Sequence, residues 1–118
     1  MRAHSNIRRF KLSEAFIEPY KTREVPWGPL GYVTFKRTYA RRLSEFEPDA
    51  TGTEEWWQTC RRVIDAMFDM QKQHVYFLGL EWNDSKAQAT AKDAYDRLFN
   101  LKWTPPGRGL WMMGTKFV

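Results

Sequence analysis

A chain of 118 residues is long enough for one domain with a workable core, and a second domain is not expected. Apolar residues at 42%, charged residues at 28% and aromatics at 16%, six of them tryptophan, mark a packed globular chain and exclude a disordered tail. The net charge of +5 suits a polyanionic partner but is equally ordinary for a soluble surface. The single cysteine, Cys60, excludes an intrachain disulfide and fits a reducing compartment such as the cytoplasm. No signal peptide, membrane helix or internal repeat is expected.

Residues 1–11 read as a frayed basic arm carrying Arg2, Arg8, Arg9 and Lys11. Ser13 then offers a cap for a short helix that Pro19 is expected to end, because proline removes a donor and crowds the preceding turn. Two prolines and a glycine in Val25-Pro26-Trp27-Gly28-Pro29 specify a loop, with Trp27 to pin it. Over residues 32–43, Tyr32, Phe35, Tyr39 and Leu43 recur at helical spacing, which predicts a helix, with a strand as the alternative. Glu47-Pro48-Asp49-Ala50-Thr51-Gly52 is turn chemistry. Thr53 followed by Glu54 and Glu55 predicts a capped helix start, and Trp56, Cys60, Val63, Ile64 and Met67 form its apolar stripe, widened by Trp57, Phe68 and Met70. Beyond Gly79, the caps Asn83, Asp84 and Ser85 precede a second stripe, Ala87, Ala91, Ala94, Tyr95 and Leu98, and the two helices are expected to pack together. Thr104-Pro105-Pro106-Gly107-Arg108-Gly109 breaks the helix, and Leu110-Trp111-Met112-Met113 has the length of a buried strand. Such a strand needs neighbours on both edges. Nothing else in the chain reads as one, so its partners are expected on another polypeptide or in sequence cut away from this chain.

Each candidate site has a plain structural alternative. Cys60 lies on the apolar stripe and is expected to be buried packing. His4 and His74 are isolated, without the spacing of a zinc site, so no metal is implied. Lys36, Arg37 and Arg41, with Arg42, could meet the phosphates of an effector or substrate; a solvated helix face is the alternative. Arg61 and Arg62 are expected at the surface. Pro106-Gly107-Arg108-Gly109 is the best functional candidate, since glycines let backbone amides approach an anion and Arg108 adds a fork of donors; a mere helix-to-strand turn is the alternative. The tryptophans at 27, 56, 57, 82, 103 and 111 do not sit in an alternating basic and aromatic pattern, so core packing is expected rather than base stacking.

Four stretches in one order resemble the adenosylcobalamin-dependent (class II) ribonucleotide reductases, above all the ribonucleoside-triphosphate reductase branch. They are Trp27-Gly28-Pro29-Leu30-Gly31-Tyr32 running on through Lys36-Arg37-Thr38-Tyr39-Ala40-Arg41, then Glu55-Trp56 through Thr59-Cys60-Arg61-Arg62-Val63, then Gly79-Leu80-Glu81-Trp82-Asn83, and finally Pro105-Pro106-Gly107-Arg108-Gly109-Leu110-Trp111-Met112-Met113-Gly114-Thr115. The resemblance implies a mainly α chain, an N-terminal helical region that leads into the first strand of a ten-stranded α/β barrel otherwise absent. It divides the chain into a basic arm with a short helix (1–26), a helical N-terminal domain (27–104), and a loop with the first barrel strand (105–118).

In that family the cobalt–carbon bond of adenosylcobalamin breaks to make a thiyl radical, and a cysteine pair supplies the reducing electrons. The resemblance places all three cysteines beyond residue 118 and points to Arg108, Gly109 and Leu110 as substrate contacts. No catalytic residue is expected here, and no cofactor on this segment alone. The partners implied are the remaining barrel polypeptide and, in the complete enzyme, a nucleotide. A dithiol reductant plus a radical-bearing thiol needs three cysteines where this chain has one, independent of any resemblance. The alternative reading is a free-standing basic module that binds nucleic acid or regulates.

Overall fold

The computed structural model describes residues 8–26, 28, 31, 32, 35, 36, 39–103, 113 and 115. The first helix, α1, spans Glu14–Lys21. Ser13 holds its N-cap position without a side-chain bond, and its carbonyl accepts from the N–H groups of Phe16 and Ile17 at 3.1 and 3.2 Å. Contrary to expectation, α1 runs through Pro19, because the buried Ile17 and Tyr20 tie both of its turns to the core and packing outweighs the lost donor.

Residues 28, 31, 32, 35 and 36 are helical, but the helix expected to reach Leu43 ends earlier, where the N–H groups of Tyr39 and Ala40 both turn back to the Phe35 carbonyl. Arg42 instead forms an isolated antiparallel bridge with Thr53, flanked by Leu43 N–H to Gly52 O at 3.1 Å and Glu54 N–H to Arg41 O at 2.8 Å. A 3-10 turn over Leu43–Glu45 follows. Because Thr53 is drawn into the bridge, it does not cap the next helix.

That helix, α2, spans Trp56–Phe77, and its N-cap is Glu55, whose N–H donates to Gln58 Oε1 at 2.7 Å as in a capping box. Helix α3 spans Asp84–Phe99 and starts as expected from Asn83, whose side chain accepts the Lys86 N–H at 3.0 Å. Both helices end in the same doubly bonded C-terminal turn. In α2, Gly79 N–H reaches Tyr76 O and Leu80 N–H reaches Val75 O; in α3, Leu101 N–H reaches Leu98 O and Lys102 N–H reaches Arg97 O. The left-handed residue is Gly79 (φ 76°) in the first and Leu101 (φ 61°) in the second.

Helices α2 and α3 pack as an antiparallel pair. Trp56, Cys60, Val63, Ile64 and Phe68 face Ala87, Ala91, Tyr95 and Leu98, and the two alanines leave room for the larger stripe opposite. Polar tips inside this core are spoken for: Trp56 Nε1 donates to Phe99 O at 3.0 Å and Tyr95 Oη to Trp57 O at 2.9 Å. Met70, assigned to the stripe by spacing, is 55% exposed.

The arm is pinned where it is described. Phe10 and Leu12 are 2% exposed, and their N–H groups each donate at 2.9 Å to Asp69 Oδ1 and Asp65 Oδ1. Alternate residues of an extended chain lie about 6.6 Å apart and residues four apart on a helix about 6 Å, so the two carboxylates match two successive same-face amides of the arm. Gln88 clamps the next link, accepting from Ser13 N–H at 3.2 Å and donating to Lys11 O at 2.6 Å.

Among the described residues there is no strand beyond the single bridge, so the fold described is helical. Leu110, Trp111 and Met112 of the expected barrel strand lie outside the described residues, as do Trp27 and its pinning role; Met113 packs partly buried against the core. No helix among the described residues is long and apolar enough to cross a membrane.

Candidate functional site

The densest polar cluster gathers where the bridge meets the first turns of α2. Glu54 is 2% exposed, and its carboxylate takes four donors: Arg41 N–H at 2.9 Å, Thr59 Oγ1 at 2.9 Å, Arg62 Nε at 2.8 Å and Arg62 Nη2 at 3.0 Å. The third arm of the Arg62 guanidinium, Nη1, donates to Met113 O at 2.6 Å. Arg62 was expected at the surface, but its side chain is 6% exposed. The fork is buried because a carboxylate and a carbonyl satisfy it from both sides. Arg61, also expected at the surface, is 18% exposed and ties Glu14 (2.8 Å), Asp65 (3.4 Å) and Leu12 O (3.0 Å) together. It holds the Glu14 carboxyl below the usual carboxylate range.

Of the residues read as phosphate contacts, two are described. Lys36 directs its ammonium at the start of α2, donating to Thr53 O (3.0 Å), Glu54 O (2.9 Å) and Glu55 Oε2 (3.1 Å). Arg41 is 5% exposed, with Nη2 at 2.6 Å from Glu45 Oε1. Arg37 lies outside the described residues, as do Arg108, Gly109 and Leu110, the expected substrate contacts. What the structure does place is the two positions that flank that stretch of sequence. Trp103 Nε1 donates to Ala94 O on α3 at 3.2 Å, and Met113 is held by Arg62, so the chain is tethered before and after residues 104–112.

A cleft of about 580 Å³ opens between the arm, α2 and the 43–50 turn. Its charged walls are largely neutralised from within: Arg9 pairs with Asp69, Arg61 with Asp65 and Arg62 with Glu54. Burial pushes the Asp65 carboxyl up to about 6, against the opposing pull of the Leu12 N–H and Arg61. Burial likewise pushes the Cys60 thiol well above its ordinary range, as for a packing residue and not a nucleophile. His74 is exposed in the last turn of α2, and His4 lies outside the described residues. Among the described residues no cluster of metal-ligating side chains forms.

Sequence reasoning missed Glu54 and Arg62. The usable signal was a glutamate, a threonine and an arginine at 54, 59 and 62 along the edge of an otherwise apolar stripe. In this arrangement those residues hold backbone in place, Glu54 at Arg41 N–H and Arg62 at Met113 O.

Residues 12–115 match the family model described as the ribonucleotide reductase alpha domain. Similar proteins include a probable adenosylcobalamin-dependent ribonucleoside-triphosphate reductase of Dictyostelium discoideum, 39% identical over 92% of this chain, and the adenosylcobalamin-dependent ribonucleoside-triphosphate reductase of Euglena gracilis, 39% identical over 91%. That of Lactobacillus leichmannii is 36% identical over 90%. The crystal structure of a B12-dependent (class II) ribonucleotide reductase superposes with a TM-score of 0.71 and 31% identity, covering 92% of this chain. The chain spans 14% of the length of each of these proteins, within their N-terminal region. A match over nearly all of the chain, in sequence and in backbone, agrees with the resemblance carried by its four motifs, and the chain belongs to the ribonucleotide reductase alpha domain family.

Proposed function

We propose that this chain acts as the N-terminal part of an adenosylcobalamin-dependent ribonucleotide reductase, converting ribonucleotides to deoxyribonucleotides for DNA synthesis in the cytoplasm, and that it is catalytically incomplete by itself. The observation that carries this reading is a single disproportion: 92% of the chain matches a class II reductase, and the match fills 14% of that reductase. One cysteine, buried against α3, cannot serve as a dithiol.

In this reading residues 27–104 are the helical N-terminal domain behind the basic arm and α1, and residues 105–118 carry the loop and first barrel strand. Arg108, Gly109 and Leu110 seat the nucleotide, and the tethers at Trp103 and Met113 support this by fixing the flanks of their loop. For Lys36, Arg37 and Arg41, a phosphate contact would have to displace internal acceptors at the two positions described, so the loop is the stronger site. In this reading adenosylcobalamin belongs to the complete enzyme, with its binding assigned to the remaining barrel polypeptide and not to this segment alone.

The test mixes the chain with a relative's polypeptide lacking the matching segment and assays deoxyribonucleotide formation with adenosylcobalamin and a dithiol. Turnover that needs both pieces is expected, and Arg108→Ala should raise KM for the nucleotide about tenfold or more while leaving assembly intact. Salt-sensitive binding of DNA or RNA without any such turnover would favour a free-standing nucleic-acid-binding module instead.

A further inference from the structure

The fully buried core of the α2–α3 hairpin stops short of its tip. The last fully buried residue of α2 is Phe68 and the first of α3 is Ala87, so none of the final nine residues of α2 is fully buried. With 22 residues against 16, α2 overshoots its partner by about 9 Å. A solvated hairpin end should be polar, yet this one carries Tyr76 (38% exposed), Phe77 (69%), Leu78 (56%) and Leu80 (62%), with Met70 (55%) about two turns earlier on α2. Only Phe46 and Leu101 are comparably exposed elsewhere among the described large apolar residues. Clustered exposure of this kind marks a contact surface, whereas scattered single residues do not.

We infer that this hairpin tip, Tyr76 to Leu80 with Met70, is a docking surface for the polypeptide that makes up the rest of the reductase. The inference rests on the function proposed above. A second copy of the chain suits the tip poorly: a stable association between separate molecules needs about 800 Å² from each partner, more than five side chains on a hairpin end present. The same patch serves well as one contact among several with a much larger body. The relatives carry that body, since 86% of their length lies outside the match.

The experiment measures the affinity of the 118-residue chain for the Lactobacillus leichmannii reductase polypeptide lacking the matching segment, for wild type, Phe77→Asp and Leu80→Asp. Both side chains are solvent-exposed, so the variants should melt within about 2 °C of wild type and bind about tenfold or more weakly. Hydrogen exchange of wild type supplies a readout independent of substitution, with amides 76–80 slowed on complex formation. Equal affinity of wild type and both variants, or no slowing at 76–80 in a formed complex, overturns the docking while leaving the proposed function standing. A self-association of the chain alone that Phe77→Asp abolishes also overturns it, by assigning the tip to a second copy. Failure of wild type to bind the polypeptide at all removes the functional reading and the docking with it.

Discussion

Arg62 shows how one side chain can join parts of a chain distant in sequence: its fork spans the Glu54 carboxylate and the Met113 carbonyl, 51 residues away. Replacing it with methionine strands the Glu54 charge in the interior, and a loss of about 3–5 kcal/mol is expected in urea unfolding. Pairing Arg62→Met with Glu54→Gln should recover a large part of that loss, because the uncompensated charge and not the missing attraction sets the cost. Asp65 contributes a pH dependence of the opposite sense to most salt-bridged carboxylates. Its folded value of about 6 exceeds its ordinary 3.8, so the folded state holds the proton more tightly than the unfolded state. This group therefore favours folding at low pH and withdraws that support as the pH rises from about 4 through 6. Stability of Asp65→Asn minus that of wild type should grow over that interval in parallel thermal melts. A flat or falling difference would remove the burial argument.

At the level of elements, the two helix C-termini form a natural comparison, with the same hydrogen bonds closed by glycine in α2 and by leucine in α3. A Cβ at Gly79 meets no atom within 4 Å, so Gly79→Ala should cost about 1 kcal/mol from backbone strain alone. Leu101→Gly should gain up to about as much, read from the same chemical melts. Elements set by local pattern were legible: α3 begins at its asparagine cap and buries its alanine and tyrosine stripe as its spacing requires. Elements set by distant partners were not. Thr53 looks like a cap until Arg42 claims it for a bridge, which leaves Glu55 as the N-cap of α2. Asp65 and Asp69 look like an ordinary solvated pair on a helix, because nothing local shows that the arm's amides at Leu12 and Phe10 will meet them. The motif around Arg108 could be singled out from its glycines and guanidinium and from the family resemblance, whereas the tethers at Trp103 and Met113 depend on Ala94 and Arg62, which spacing cannot connect to it.

Taken whole, the described residues combine a helical body with an apolar tip and anchored positions, Trp103 and Met113, on either side of residues 104–112. Charges inside the described body are paired, Arg62 with Glu54 and Arg41 with Glu45. This distribution suits a segment that contributes shape and anchoring to a larger catalyst, with redox chemistry supplied elsewhere. The most direct test is a titration of the chain into a fixed amount of reductase polypeptide lacking the matching segment, following deoxyribonucleotide formation with adenosylcobalamin present. Activity absent from either piece, rising with added chain and saturating at one chain per polypeptide, is the expected result. No turnover at any ratio, or turnover by the 118-residue chain alone, would contradict it.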